Sequence, residues 1–166
     1  MNYGAVLGFF LSLISILFWF FGIDEQQSPF PSIANNLAII GFLVYSIIFY
    51  RDNLSSGYIS YQISLKLGTS IAFFSSIILA LYTFIYVTYL SPEMLNNIIT
   101  MTEQALLQSN PEISEAELNL AIEITARLTQ PHWLMTMGIL SGTFMGFLYS
   151  AIISFFTKKN PSNQIV

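Results

Sequence analysis

The chain has 166 residues, of which 54% are apolar and only 8% are charged, and its formal net charge at pH 7 is −4. Soluble domains carry about 25% charged residues, so this chain has too few charges to cover a water-facing surface. The composition argues against a soluble enzyme, a nucleic-acid-binding protein and a disordered tail. It predicts a protein whose main surroundings are the lipid bilayer.

Four segments without a charged residue follow one another along the chain, at residues 5–23, 33–50, 67–90 and 133–157. A helix needs about 20 residues to cross a hydrocarbon core of roughly 30 Å, so each segment is long enough to span a membrane. The first has no preceding Lys or Arg and is too long for a signal peptide. The second is the weakest, because Asn35 and Asn36 lie near its start. The pattern predicts an all-α, polytopic membrane protein with a single domain over residues 1–166.

Residues 91–130, between the third and fourth spans, have the pattern of an amphipathic helical hairpin. Ser91 is predicted to be the N-cap of the first helix, with Pro92 at the first helical position and Glu93 in the first turn. Residues 109–111 (Ser-Asn-Pro) break that helix. Ser114 and Glu117 match a capping box that opens a second helix. Each helix has one apolar face, formed in the first by Met94, Leu95, Ile98, Ile99, Thr102, Ala105 and Leu106 and in the second by Leu118, Ala121, Ile122, Thr125 and Leu128.

The distribution of charge predicts the orientation of the spans. The two termini and the linker 51–66 share one side, which carries Arg51, Lys66, Lys158 and Lys159. The other side carries eight of the nine acidic residues together with Arg127. Lys and Arg mark the cytoplasmic side of a membrane protein. Both termini are therefore predicted to be cytoplasmic, and the acidic hairpin is predicted to be extracytoplasmic.

Small residues recur at every fourth position in two spans. They are Gly68, Ala72, Ser76 and Ala80 in the third span and Gly138, Gly142, Gly146, Ser150 and Ser154 in the fourth, with a shorter set, Gly4, Gly8 and Ser12, in the first. Residues four apart share a helix face, and small side chains there let two helices approach closely. Helix packing is the favoured interpretation. A neutral Gly/Ser-lined path for a solute stays open as the alternative, although no span contains the ionisable residue expected of ion-coupled transport.

The sequence offers no set of residues for catalysis, for a cofactor or for a metal. It has no cysteine and one histidine, His132, and it shows neither a phosphate-binding loop nor a serine beside a base. We therefore expect a protein that is not an enzyme and carries no cofactor.

The acidic hairpin is the strongest candidate for a contact surface. Its two helices serve as a connector that folds on itself, as a contact with another protein, or as a lid over a ligand. Negative charge makes lipid contact unattractive, and the apolar stripe of the first helix is wider than one partner helix covers. We predict a homo-oligomer or a complex with a membrane-protein partner through Met94, Ile98 and Met101.

The linker after the second span resembles that of a known family. Tyr50-Arg51-Asp52, then residues 57–61 (Gly-Tyr-Ile-Ser-Tyr) and Lys66-Leu67-Gly68 are similar to the linker of the bacterial membrane family called domain of unknown function 4199. The order of spans, acidic segment and final Lys158-Lys159 is similar as well. The resemblance implies a four-helix, multi-pass inner-membrane protein of a Bacteroidetes-type bacterium, and it implies no activity.

Taken with the residues, the resemblance favours a structural or accessory membrane subunit. The alternative is a small transporter or channel subunit with a neutral path along the Gly/Ser stripes.

Overall fold

A computed structural model describes residues 2–23 and 28–159, and the chain is helical throughout most of these ranges. In chain order the elements are α1 (Asn2–Phe20), α2 (Phe30–Leu54), α3 (Tyr61–Ile85), a π-helical turn (Tyr86–Leu90), α4 (Glu93–Ser109), α5 (Glu115–Leu128) and α6 (Pro131–Thr157). The all-α prediction is confirmed. Four helices, α1, α2, α3 with its π-helical turn, and α6, are long and apolar enough to cross a membrane.

Several helix boundaries differ from those predicted. α2 starts before residue 33 and continues through Arg51 and Asp52 to Leu54, and α3 starts at Tyr61, before residue 67. A run without charges measures only the part of a helix that suits hydrocarbon, whereas the backbone hydrogen bonds of a helix continue past its first charged residue. Charge-free segments therefore predicted these two helices too short.

α1 ends at Phe20 rather than at residue 23, and the backbone conformation of Gly22 explains why. Gly22 adopts φ +68°, a left-handed conformation that glycine reaches at little cost. The N–H of Ile23 donates to the carbonyl of Phe18 at 2.9 Å, and the N–H of Gly22 donates to that of Trp19 at 3.0 Å. This pair of bonds is a Schellman motif, which closes the end of a helix.

The chain divides into two compact units, and the first contains the described residues of 1–79 and 139–166. Its core is apolar and draws on four helices and the linker between α2 and α3. The fully or nearly buried side chains are Leu7, Leu11, Leu43, Ile47, Ile59, Ile71 and Ile153. Large apolar side chains such as Phe9 and Phe144 also cover the outside of these helices. Such a surface suits hydrocarbon and is unfavourable in water.

The second unit contains residues 80–138, and within it α4 and α5 pack against each other. The predicted capping box is confirmed: the N–H of Glu117 donates to Ser114 Oγ at 3.3 Å, and the N–H of Ser114 donates to Glu117 Oε2 at 3.2 Å. The predicted cap at Ser91 is wrong, because Pro92 holds the N-cap position of α4. Ser91 instead closes the π-helical turn, with its N–H donating to the carbonyl of Tyr86 at 2.8 Å.

Candidate functional site

The small residues of α3 and α6 meet along one line in the first unit, which we call the small-residue seam: Ser64, Gly68, Ala72 and Ser76 of α3 and Gly142, Gly146, Ser150 and Ser154 of α6. A Cβ atom added at Gly142 would lie 2.9 Å from Ser76 Cβ, and one added at Gly68 would lie 2.8 Å from Ser150 Cβ. A Cβ at Gly146 would collide with Ala72 Cβ. Real Cβ atoms essentially never approach this closely, so these glycines are where the two helices touch.

The pairing along the seam has a regular antiparallel register. Moving from Gly68 to Ala72 and on to Ser76 along α3, the partner on α6 changes from Ser150 to Gly146 and then to Gly142. Steps of four residues on both helices keep the same face in contact. A side chain larger than alanine or serine at these positions would force the helices apart.

Gly138 was predicted to belong to the same stripe as Gly142 and Gly146. The space that a Cβ at Gly138 would enter is open, and the residue is exposed. Within the first unit, the glycines of α6 at which an added Cβ would come closer than 3 Å to α3 are Gly142 and Gly146. The glycine spacing alone does not single them out.

Hydroxyl groups link the two helices at both ends of the seam. Ser154 Oγ donates to Ser64 Oγ at 2.8 Å, and both residues are fully buried. At the other end the hydroxyls of Ser76 and Thr143 lie 3.2 Å apart. Between these pairs, the buried Ser150 Oγ has no hydrogen-bond partner among the residues that the structure describes. An unpaired buried hydroxyl keeps its desolvation cost without the compensating bond.

We expect serine-to-alanine substitutions one turn apart on α6 to have different effects. Ser154→Ala should lower the free energy of unfolding by about 0.6 kcal/mol, a typical value for a hydrogen bond between membrane helices. Ser150→Ala removes a hydroxyl that is buried without a partner and should leave stability unchanged or raise it. Thermal unfolding in detergent measures both variants, and an equal loss from the two would contradict this account of the seam.

α1 packs against another side of α3 through glycines of its own. A Cβ at Gly4 would lie 2.6 Å from Phe74 Cβ, and one at Gly8 would lie 2.7 Å from Ile78 Cβ. Ser12, one turn further along α1, donates from its Oγ to the carbonyl of Gly8 at 2.9 Å. α3 is therefore held closely by α1 and by α6, and glycine permits both contacts.

One end of the first unit, which we call the basic end, joins α2, the linker after it and the end of α6. Arg51 donates from Nη1 to the carbonyl of Thr157 at 3.2 Å and forms an ion pair with Asp52 at 2.7 Å. Ile59 and Lys159 form an antiparallel β-bridge with backbone hydrogen bonds of 3.0 and 2.9 Å. The sequence contains no local signal for this bridge, because the two residues lie far apart in the chain.

Hydrogen bonds and an ion pair stabilise α5 in the second unit. Bonds from the hydroxyl and backbone N–H of Ser114 lower the pKa of the Glu117 carboxyl below its usual value. Arg127 pairs with Glu123 at 2.8 Å, one helical turn away. Both interactions join residues three or four apart, so they stabilise α5 locally.

The residues predicted to contact a partner differ in accessibility. Met94 and Ile98 are half-buried, whereas Met101 is 50% exposed. The structure also exposes an apolar stripe on α5, namely Leu120 (58%), Ile124 (48%) and Leu128 (46%). The sequence interpretation placed Leu128 on the apolar face of this helix but missed Leu120 and Ile124. The signal of this stripe was present as three large apolar residues at spacing four. The sequence interpretation instead favoured the broader apolar face that begins at Leu118, which is half-buried in the structure.

Potential metal ligands are not clustered within residues 2–23 and 28–159. No group of three His, Cys, Asp or Glu side chains there is placed to hold a metal ion. A groove of about 340 Å³ beside α1 is lined by apolar residues, Ile14, Leu17, Phe18, Phe21, Ile23 and Ala34. A substrate pocket needs a few convergent polar groups, and this groove has none.

The fold and these surfaces define a class of protein: an all-helical chain with four helices of membrane-spanning length and apolarity. A family described as protein of unknown function (DUF4199) matches residues 2–159. The chain belongs to this family, and the resemblance drawn from its linker is confirmed. No curated protein and no solved structure matches the chain.

Proposed function

We propose that this protein is a structural or accessory subunit of a bacterial inner membrane, without enzymatic activity, that contacts a partner protein through α4 and α5. In this proposal both termini and the basic end are cytoplasmic, and α4 and α5 lie outside. The charge asymmetry supports that orientation, because Arg51, Lys66, Lys158 and Lys159 lie on the side of the termini. The partner is a second copy of the chain or another membrane protein.

The observation that carries the proposal is the exposed apolar stripe of α5. α4 and α5 already bury apolar side chains against each other, yet Leu120, Ile124 and Leu128 stay about half exposed. A continuous apolar stripe on a helix outside the hydrocarbon core is unfavourable in water unless another surface covers it. The acidic side chains around it, including Glu117 and Glu123, disfavour an anionic lipid surface, so a protein surface is the better match.

Close contact along the small-residue seam favours packing over a solute path as the role of the glycines. The glycine positions nearest the middle of the seam, Gly142 and Gly146, face Ser76 and Ala72 at contact distance. A path between α3 and α6 would require these helices to separate along the seam.

The experiment compares lysine substitutions at adjacent exposed positions of α5. Leu120→Lys places a charge in the stripe and should weaken association by about 2 kcal/mol, as expected for an apolar residue central to an interface. Asn119→Lys adds the same charge beside the stripe and should have little effect. The mass of the detergent-solubilised protein, measured by light scattering, reports the assembly.

Met101→Lys extends the same test to α4, whereas Ile98 is half-buried and its substitution would also disturb the fold of the helix pair. An unchanged mass for Leu120→Lys would contradict the proposal. So would a wild-type protein that is monomeric and brings no other protein with it during purification.

A further inference from the structure

The basic end carries two lysines, Lys158 and Lys159, that form no ion pair with a side chain in the described part of the chain. Both are exposed at the end of α6. The nearby carboxylate, Asp52, already accepts two hydrogen bonds from Arg51, at 2.7 and 3.1 Å. Lys159 also attracts this carboxylate, although the two groups form no ion pair, so the two lysines add positive charge that Asp52 alone does not neutralise.

These lysines are not required to cap α6. The final carbonyls of a helix attract cations, and that role is filled here by Arg51, which donates to the carbonyl of Thr157. The backbone of Lys159 is held by the bridge to Ile59, so this residue is positioned without using its side chain. Both ammonium groups remain available for a ligand.

Aromatic rings beside the lysines indicate the surroundings of the ammonium groups. Lys158 Nζ lies 4.4 Å from the centre of the Phe155 ring, and Lys159 Nζ lies 5.9 Å from that of Tyr58. Phe155 and its neighbour Phe156 are 60% and 78% exposed, at the end of a helix long and apolar enough to cross a membrane. The positive charges therefore lie where exposed apolar surface ends, which corresponds to the depth of lipid phosphates.

We propose that the basic end binds an anionic phospholipid, with Lys158 and Lys159 contacting its phosphate group and Phe155 lying against its acyl chains. Charge complementarity selects an anionic ligand, since clusters of basic residues next to membrane helices attract anionic headgroups. The exposed phenylalanines select a lipid over a soluble phosphate, which gains nothing from an apolar neighbour. Lysine binds phosphate as a point charge.

The test measures lipid affinity of the full chain in a neutral detergent by native mass spectrometry. Phosphatidylglycerol is titrated against the wild type, and phosphatidylcholine and soluble glycerol phosphate are titrated separately. The wild type should prefer phosphatidylglycerol. Replacing both lysines (Lys158→Gln with Lys159→Gln) should weaken that binding about 30-fold, since each basic residue near an anionic surface contributes a factor of about five.

Lys66→Gln is the matched control, because Lys66 is also exposed but lies on α3. It should change the affinity little. The single variant Lys158→Gln is compared with Lys66→Gln. Equal losses of lipid affinity from these two variants would overturn the proposal in favour of diffuse electrostatic attraction. Equal binding of phosphatidylcholine would also overturn it, and so would glycerol phosphate competing fully with the lipid. The Ile59–Lys159 bridge uses only backbone atoms, so the lysine substitutions should leave the fold intact. Unfolding temperatures measured without added lipid verify that each variant is folded.

Discussion

Gly146→Leu is expected to destabilise the protein by about 3 kcal/mol or more, at the upper end of the range for overpacking. Even a single Cβ at this position would collide with Ala72 Cβ, and leucine adds three further carbon atoms in the same place. Neither backbone can yield without separating α3 from α6 along the seam. Thermal unfolding in a mild detergent measures the effect.

Gly138→Leu is the matched control for that substitution. It makes the same change in the same helix, at a position where the added side chain meets open space. Because leucine favours helix more than glycine does, this variant should be as stable as the wild type or more so. Equal destabilisation by the two variants would show that the loss comes from removing glycine from α6 and not from the contact with α3.

A pair of smaller changes isolates the contact itself. Gly146→Ala alone should destabilise, and adding Ala72→Gly on the facing helix should restore stability, because the second change makes room for the methyl group that the first introduces. Such a rescue is a coupling between two positions, which independent effects do not produce. Additive losses from the two changes would contradict the direct contact.

Labelling at Ser109 and Ser56 should differ completely if the proposed orientation is right. Both residues are exposed, and the chain has no cysteine, so a single introduced cysteine is the only thiol. In spheroplasts, a membrane-impermeant maleimide should label Ser109→Cys at the end of α4. It should label Ser56→Cys, in the linker after α2, only after the membrane is permeabilised.

The physical reason is the retention of basic residues on the cytoplasmic side during insertion. Ser56 lies in the linker bounded by Arg51 and Lys66, whereas Ser109 lies in an acidic segment. Labelling of Ser56→Cys in intact spheroplasts would reverse the orientation. Labelling of both sites there would place them on the same side of the membrane and would reject the single crossing by α3 between them.

The two proposals depend on the membrane orientation in different ways. If the orientation is reversed, α5 lies on the cytoplasmic side, while the proposed partner and the association test stay the same. The affinity of the basic end for an anionic lipid depends on Lys158, Lys159 and Phe155 and is measured in detergent, so it does not depend on the orientation. Failure of either proposal therefore leaves the other testable.

The sequence by itself determined the features that depend on one short stretch of chain. Four apolar runs predicted four long helices because span length and hydrophobicity are local properties. The capping box at Ser114 and Glu117 was predicted because its bonds join residues three apart. The predicted boundaries of these helices were less accurate where a helix continues past a charged residue or stops before a glycine. Hydrophobicity does not determine where backbone hydrogen bonds stop.

Only the tertiary structure decided which surfaces meet. A spacing of four residues places Gly138, Gly142 and Gly146 on one face of α6, but it does not specify the facing helix, the register or the point where two crossing helices separate. The structure sets Gly146 against Ala72, whereas a Cβ added at Gly138 would enter open space. The bridge between Ile59 and Lys159 was likewise unpredictable, because it depends on how whole helices pack, and packing is a property of distant residues brought together.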